Sequence, residues 1–320
     1  MLRRSIYRLP FSTTPAAAEE STRMAEMNRV ELLSWKPRAF IYHNFLSAEE
    51  CDHIIRTAKP LMRRSTVVGP SGTSVKDNIR TSYGTFLTRK CDPVIEGVEK
   101  RLAAWTLLPL LHQEDMQVLR YSDGEKYGAH YDSLQDGSPR VATVLMYLNN
   151  DTSLHGGETA FRNAPSWTVD GTMSDCAKGV VAVKPRRGDA LLFYSLTPNG
   201  QQDMSSMHEG CPVLRGIKWT ATKWIHTAPF HPEWLEQAQL KPESKQLRLP
   251  EDCRDYDSNC KSWSLNGECT KNAGFMVGDD FSLGTCRLSC KACEECAPGD
   301  KACHNRNRER GGFLISTDGD

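Results

Sequence analysis

Residues 217–226 read IKWTATKWIH. Side chains alternate between the two faces of an extended chain, so Lys218, Thr220, Thr222 and Trp224 share one face of a strand, with a cation among them. Working back along the chain, Met116–Tyr121, residues 141–148, Val180–Val183 and Ala190–Tyr194 have the same strand character, each set off by clusters of Gly, Pro, Asn and Asp. Short strands punctuated by turns predict a sandwich or jelly roll. Two helices come first. Ser47 with Glu50 makes a capping box, with Leu46 as its staple and Ile54, Ile55 and Ala58 as the apolar stripe, before Pro60 stops the turn. Asp92 caps the second, with Pro93 at its first position; it is expected to bury Val94, Ile95, Val98, Leu102 and Trp105 and to end before Pro109. Both would brace the sheet. Between them residues 67–87, rich in Gly, Ser and Thr, read as a loop over a site.

The chain has 320 residues, of which 39% are hydrophobic and 25% charged, enough for one large domain plus something small. Lys plus Arg and Asp plus Glu each total 40, so no global basic field exists to hold nucleic acid, and none is expected as a partner. No apolar run reaches the length of about eighteen residues that would suggest a membrane-spanning helix. Eight of the 12 cysteines fall between Cys253 and Cys303, which predicts a small disulfide-stapled module behind a cysteine-poor body, in an oxidising compartment. The first 18 residues carry Arg3, Arg4 and Arg8, no acid and no apolar segment of signal-peptide length. With an oxidising compartment implied, a start that has lost its signal is expected over an organellar presequence.

His130 and Asp132 stand two apart, so in extended backbone both project from one face and can bind one metal. Alone, such a pair is more often ordinary surface. His208 adds a third donor, and Lys218 follows it ten residues later on an inward strand face. Two histidines and a carboxylate make the facial triad of non-haem Fe(II) oxygenases, which leaves positions open for a 2-oxo acid and dioxygen. A lysine inside the barrel would then balance the distal carboxylate of 2-oxoglutarate. The bland readings of Lys218 and Trp224 are a snorkelling strand residue and a core aromatic. Gly156-Gly157-Glu158 is read as a tight turn between strands, since no phosphate-loop Lys-Ser/Thr follows. Asn150-Asp151-Thr152 is a glycosylation sequon in a polar loop.

In order, Asn78-Ile79-Arg80-Thr81-Ser82, Tyr121-Ser122-Asp123-Gly124, His130-Tyr131-Asp132, Gly156-Gly157-Glu158-Thr159, His208-Glu209-Gly210-Cys211-Pro212-Val213 and Lys218-Trp219 to Lys223-Trp224 resemble the prolyl 4-hydroxylases of plants and green algae over roughly residues 35–230. The resemblance implies a double-stranded β-helix (jelly-roll) dioxygenase core that is mainly β with bracing helices, followed by a small disulfide-rich C-terminal domain. It implies iron held by His130, Asp132 and His208, and Lys218 on the 2-oxoglutarate tail, assisted by Tyr121 and Thr159. Arg140 and Trp224, with Arg80 and Tyr83 from the loop, are expected along the peptide groove. The activity implied is that of a procollagen-proline 4-dioxygenase type enzyme: hydroxylation of peptidyl proline at C4 in a proline-rich polypeptide, with Fe(II), 2-oxoglutarate and O2, ascorbate restoring oxidised iron. Polyproline II presents such prolines to aromatic residues already ordered, and hydroxyproline-rich wall glycoproteins are expected over collagen. Rival readings are a dioxygenase acting on another peptidyl residue such as lysine, and a non-catalytic secreted binding protein.

Cys253, Cys260, Cys269, Cys286, Cys290 and Cys293, with Asp255, Trp263, Gly267-Glu268 and Phe275-Met276 between them, resemble the ShK-toxin-like domain. Six cysteines allow fifteen pairings; the resemblance implies Cys253 with Cys293, Cys260 with Cys286 and Cys269 with Cys290. Cys296 with Cys303 is a further candidate pair, as are Cys176 with Cys211 and Cys51 with Cys91. A zinc or iron-sulfur site on Cys290, Cys293, Cys296, Cys303 and His304 would leave Cys253, Cys260 and Cys269 unexplained. The expected organisation is a disordered or targeting segment over residues 1–34, the catalytic domain over 35–230, a linker over 231–252, the toxin-like domain over 253–293 and a polar tail over 294–320. The endoplasmic reticulum or secretory pathway is the expected location.

Overall fold

The strand that contains Lys218 is buried along all nine of its residues, because it runs through the middle of a sheet covered on both sides. The computed structural model describes residues 30–65, 67–68, 74–75, 81–133, 138–149, 153–166, 171–233, 248–279 and 282–315. In chain order the strands are β1 (Val30–Trp35), β2 (Arg38–Tyr42), β3 (Arg63–Arg64), β4 (Val67–Val68), β5 (Ser74–Val75), β6 (Tyr83–Leu87), β7 (Met116–Tyr121), β8 (Tyr127–His130), β9 (Arg140–Tyr147), β10 (His155–Gly156), β11 (Thr159–Pro165), β12 (Val180–Val183), β13 (Ala190–Tyr194), β14 (His208–Gly210), β15 (Val213–Arg215) and β16 (Lys218–His226). The helices are α1 (Ala48–Ala58), α2 (Pro93–Thr106), α3 (Cys260–Leu265), α4 (Glu268–Lys271), α5 (Ala273–Met276) and α6 (Lys301–Arg310). An eight-stranded sheet runs β1-β2-β13-β9-β16-β7-β6-β3, and a four-stranded sheet runs β12-β11-β14-β8. Packed face to face, they form the jelly-roll core.

Alternation along β7, β9 and β16 sends one set of side chains to each face. Met116, Val118, Ala142, Val144, Met146, Ala221 and Ile225 join Ile54 of α1 and Ile95, Val98 and Leu102 of α2 in the larger core. On the opposite face Tyr147, Leu191 and Phe193 meet Phe161, Ala164 and Val183 of the small sheet. Both helices start at side-chain caps. Ser47 Oγ accepts from Glu50 N at 3.2 Å while Glu50 Oε2 accepts from Ser47 N at 2.9 Å, and Asp92 Oδ1 accepts from the amides of Val94 and Ile95.

The structure departs from the sequence expectations in several places. β1 starts at Val30, five residues before Trp35 and within the stretch expected to be disordered or targeting, because it pairs with β2. Residues 83–87, expected within a loop, form β6 and pair in unbroken register with β7; most of residues 66–80 lie outside the described residues. So do the sequon at Asn150 and residues 234–247 of the expected linker. Val94 and Trp105 of α2 are half-buried, whereas Glu99 is fully buried and pairs with Lys223 of β16 at 2.7 Å. Cys51 and Cys91 are not bonded to each other: Cys51 faces the core from α1, and Cys91 is exposed at the turn before α2.

The cysteine-rich end is joined by Cys253–Cys293, Cys260–Cys286, Cys269–Cys290 and Cys296–Cys303. Beyond Cys293 the expected polar tail is instead folded. Asp300 caps α6, and the chain then returns to the large domain, where Leu314 N donates to Met62 O at 2.8 Å and the Leu314 side chain enters the larger core. Arg308, nearly buried, clamps this return through Leu314 O, Glu251 and Pro60 O.

Candidate active site

Antiparallel pairing of β8 with β14 sets His130 directly opposite His208, with ring centroids 4.4 Å apart. Asp132 follows just past the end of β8 and turns inward. Its Oδ1 lies 3.4 Å from His130 Nε2 and its Oδ2 3.6 Å from His208 Nε2. One donor atom from each of the three residues lies within 4.8 Å of the others. His130 Nδ1 donates to Gly128 O at 2.8 Å and His208 Nδ1 to Ser206 O at 2.9 Å; a carbonyl only accepts, so the proton sits on Nδ1 and the Nε2 lone pair faces the cavity. Thr143 Oγ1 donates to Asp132 Oδ2 at 2.6 Å.

The electrostatics suit a cation. Burial first, then the neighbouring His130, pushes His208 down to about 4, which favours the neutral imidazole. Burial of Asp132 opposes its charge, but His208, His130 and Arg140 outweigh it and hold the carboxyl well below the usual range. Two imidazoles and one carboxylate converging on a point fit Fe(II) and leave further positions open.

The same cavity is lined by Tyr121, Thr159 and Lys218, and runs along β16 to Trp224, a length of roughly 20 Å at strand spacing. Lys218 is 3% exposed. Its Nζ stands 5.4 Å from the Tyr121 ring centre and 5.8 Å from that of Tyr147, and Tyr147 OH donates to Thr159 Oγ1 at 2.9 Å. Burial draws the Lys218 ammonium down to about 8, with Glu158 pulling the other way. The Gly156-Gly157 turn makes room for it. Gly157 has φ +71°, and a Cβ there would come within 3.2 Å of Lys218 Cδ, while one on Gly156 would come within 2.3 Å of Pro212 O. The Cys176–Cys211 disulfide ties the end of β14 to the turn at residues 175–177.

The residues expected along a peptide groove are placed differently from one another. Trp224 lines the cavity. The guanidinium of Arg140 lies 4.0 Å from the Trp224 ring centre, forks onto Glu114 at 2.5 and 3.1 Å, and reaches Asp132 O at 3.4 Å. Glu114 also accepts from His226 Nε2 at 2.7 Å; against burial, His226 and Arg140 keep its carboxyl low. Tyr83 does not reach the cavity: it shares a strand face with Leu87 and packs into the helix-side core. Arg80 lies outside the described residues.

Sequence reasoning missed Tyr127, whose ring stacks on His130 at 3.7 Å, and Phe193, 4.6 Å from His208. It also missed Glu114, Thr143 and His226. Gln117 and Leu119 were within reach, since the period of two that sends Tyr121 inward sends them inward too.

Residues 116–226 match the 2OG-Fe(II) oxygenase superfamily, an interval that contains every residue lining the cavity. The chain is similar to Probable prolyl 4-hydroxylase 4 of Arabidopsis thaliana, 42% identical over 302 residues that cover 90% of this chain and 96% of that protein. It is 43% identical over 279 residues to Prolyl 4-hydroxylase 2 of the same plant, covering 83% of this chain and 88% of that one. Among solved structures it is similar to the viral collagen prolyl hydroxylase of Paramecium Bursaria Chlorella virus-1 in its 2OG complex, with 26% identity and a TM-score of 0.45 over 59% of this chain and 96% of that one. Identity at that level across nine-tenths of the chain places it plainly: it belongs to the plant-type prolyl 4-hydroxylases, Fe(II)- and 2-oxoglutarate-dependent dioxygenases of the 2OG-Fe(II) oxygenase superfamily.

Proposed function

We propose that the protein hydroxylates C4 of peptidyl proline in extended proline-rich chains, consuming dioxygen and 2-oxoglutarate and releasing succinate and CO2. The observation that carries this reading is one cavity holding three convergent donors, His130, Asp132 and His208, together with a buried lysine. Fe(II) bound by those donors, with 2-oxoglutarate, supplies the oxidising power that inserts oxygen into a C–H bond. His130 and His208 offer Nε2 because backbone carbonyls hold their Nδ1 protons, and Thr143 orients the Asp132 carboxylate. Lys218 receives the distal carboxylate of 2-oxoglutarate, assisted by Tyr121 and Thr159, in a pocket too buried for water to compete well. Trp224 borders the incoming peptide, with Arg140 held over its ring by Glu114; Arg80 joins this group by resemblance alone, and the placement of Tyr83 lends it no such role.

Ascorbate serves as the reductant that restores iron oxidised in unproductive turnovers. The disulfides are compatible with a secretory compartment, and the endoplasmic reticulum is the location we infer. The catalytic unit spans residues 35–230, with β1 from Val30 added at the edge of its sheet. Residues 253–293 form a module of the ShK-toxin-like kind, which guides a substrate or partner, and hydroxyproline-rich wall glycoproteins are the substrates favoured. The test is incubation of the purified oxidised protein with Fe(II), 2-oxoglutarate, ascorbate and a short proline-rich peptide, followed by tandem mass spectrometry. One added oxygen on proline is the expected result. Succinate without modified proline would overturn the residue specificity, and neither product would overturn the catalytic reading.

A further inference from the structure

Where the cysteine-rich end meets the large domain, a second cavity of about 490 Å³ opens, a volume within the range of small-molecule sites. Among the described residues it shares none of its lining with the cavity that holds Lys218. Arg56 and Lys59, three apart, line it from the last turn of α1 and the residue just after that helix. From the other part of the chain α6 contributes one stripe, Lys301, His304, Asn305 and Arg308, at the helical spacings of three and four. Glu251 is the one carboxylate among the described lining residues, and Arg308 already answers it at 3.0 Å. Arg56, Lys59 and Lys301 therefore leave the cavity positive. His304 Nδ1 is buried with no hydrogen-bond partner among the described residues. Buried polar atoms are nearly always paired, and a bound group is one way such an atom is satisfied.

The lining selects a class of ligand. Cations drawn from two elements attract an anion with more than one charged group, through charge-assisted hydrogen bonds from ammonium and guanidinium. Pro60, Leu314 and Ile315 add an apolar patch to the same cavity, and Ile315 is 40% exposed, so the anion needs an organic body to cover it. A concave site of this volume suits a small molecule, whereas a protein partner would spread over a broader surface. We propose that this joint is a binding site for a small organic polyanion, one that carries two or more phosphate or carboxylate groups on an apolar body. Both parts of the chain build the cavity, so its ligand stabilises them together.

The test is titration calorimetry on the oxidised full chain, without iron or 2-oxoglutarate, in salt of about 0.15 M to screen loose ion pairing. ATP stands for an organic phosphate, citrate for an organic polycarboxylate, and tripolyphosphate for an anion with no organic body. Saturable binding of one ATP or one citrate per chain is expected, and the tighter of the two identifies the anionic group. Lys59→Gln and Lys301→Gln are each expected to weaken that binding about tenfold or more. Lys178→Gln, which removes an exposed lysine of the jelly roll, is expected to leave it unchanged. Asp318 and Asp320 follow Ile315 in the sequence and are the rival acids, so the titrations are repeated on a chain ending at Ile315. Binding by the shortened chain alone would assign the cavity to those aspartates and overturn the proposal. Tripolyphosphate bound as tightly as ATP would overturn the assignment to an organic anion. No saturable binding of ATP or citrate, or binding indifferent to Lys59→Gln and Lys301→Gln, overturns the site itself.

Discussion

Lys218 holds its charge against its surroundings, since burial pulls its ammonium down to about 8 and two tyrosine rings face it, with Glu158 the acid that opposes the shift. Only the protonated form attracts a carboxylate. The KM for 2-oxoglutarate is accordingly expected to be flat below that pH and to climb roughly tenfold per unit above it, while the KM for peptide does not follow. Initial rates across a pH series check this, and a flat profile through pH 9 would remove Lys218 from the role. Lys218→Ala is expected to raise the same constant by a factor of about ten or more. Thr143 acts one step from the proposed metal. Removing its hydroxyl in Thr143→Val deprives Asp132 Oδ2 of a 2.6 Å donor, and a loss of about 10–100-fold in metal affinity is expected by titration with Fe(II) under anaerobic conditions.

At the level of elements, β16 serves two faces at once. Lys218, Thr220, Thr222 and Trp224 line the cavity, whereas Lys223 points at α2 and reaches Glu99 at 2.7 Å and the Glu114 carbonyl, with both members of the ion pair wholly buried. Lys223→Met leaves the Glu99 carboxylate buried without its partner, at an expected cost of about 3–5 kcal/mol in denaturant unfolding. Joining it to Glu99→Leu is expected to recover most of that loss, and a double variant no better than the single one would show that the pair is not the cause. The cavity face of β16 was legible because a nine-residue strand repeats its period several times. Lys223 was not, since a lone lysine gives no sign of a carboxylate 124 positions away. β8 and β14 have four and three residues, too few to show a period, so His130 was found by its two-residue spacing from Asp132 and His208 by residue type and order. β6 was hidden for another reason: Gly84 interrupts the strand formers Tyr83, Thr85 and Phe86 just after a Gly- and Ser-rich stretch, and pairing with β7 supplies what it lacks.

Across the whole molecule, the cysteine-rich end is built into the large domain. A composition of charged residues after Cys293 reads as solvent-loving tail, yet three residues of that stretch hold it to the large domain: Arg308 is clamped between Leu314 O, Glu251 and Pro60 O, the Phe313 ring centre lies 4.0 Å from the Arg63 guanidinium, and Leu314 is 7% exposed among the helices α1 and α2 and the sheet beneath them. The disulfides close the end upon itself, and the returning segment at residues 312–314, together with Arg308 on Pro60 O and Asp279 O on Arg63, carries its fold to the dioxygenase core. If that is the coupling, the two parts unfold together. Leu314→Ala empties a site in the shared core and is expected to lower the stability of the catalytic domain by about 2–5 kcal/mol, seen as an earlier loss of the near-ultraviolet signal and of peptide hydroxylation on heating. Opening Cys296–Cys303 alone by Cys296→Ser with Cys303→Ser, which leaves Cys176–Cys211 of the jelly roll intact, is expected to shift the same transition, because the anchor at Leu314 then loses the closed end that holds it in place. An unchanged transition in both experiments would mean that the end is an independent appendage; a single transition that moves in both means that the closed end stabilises the catalytic domain as well as the module.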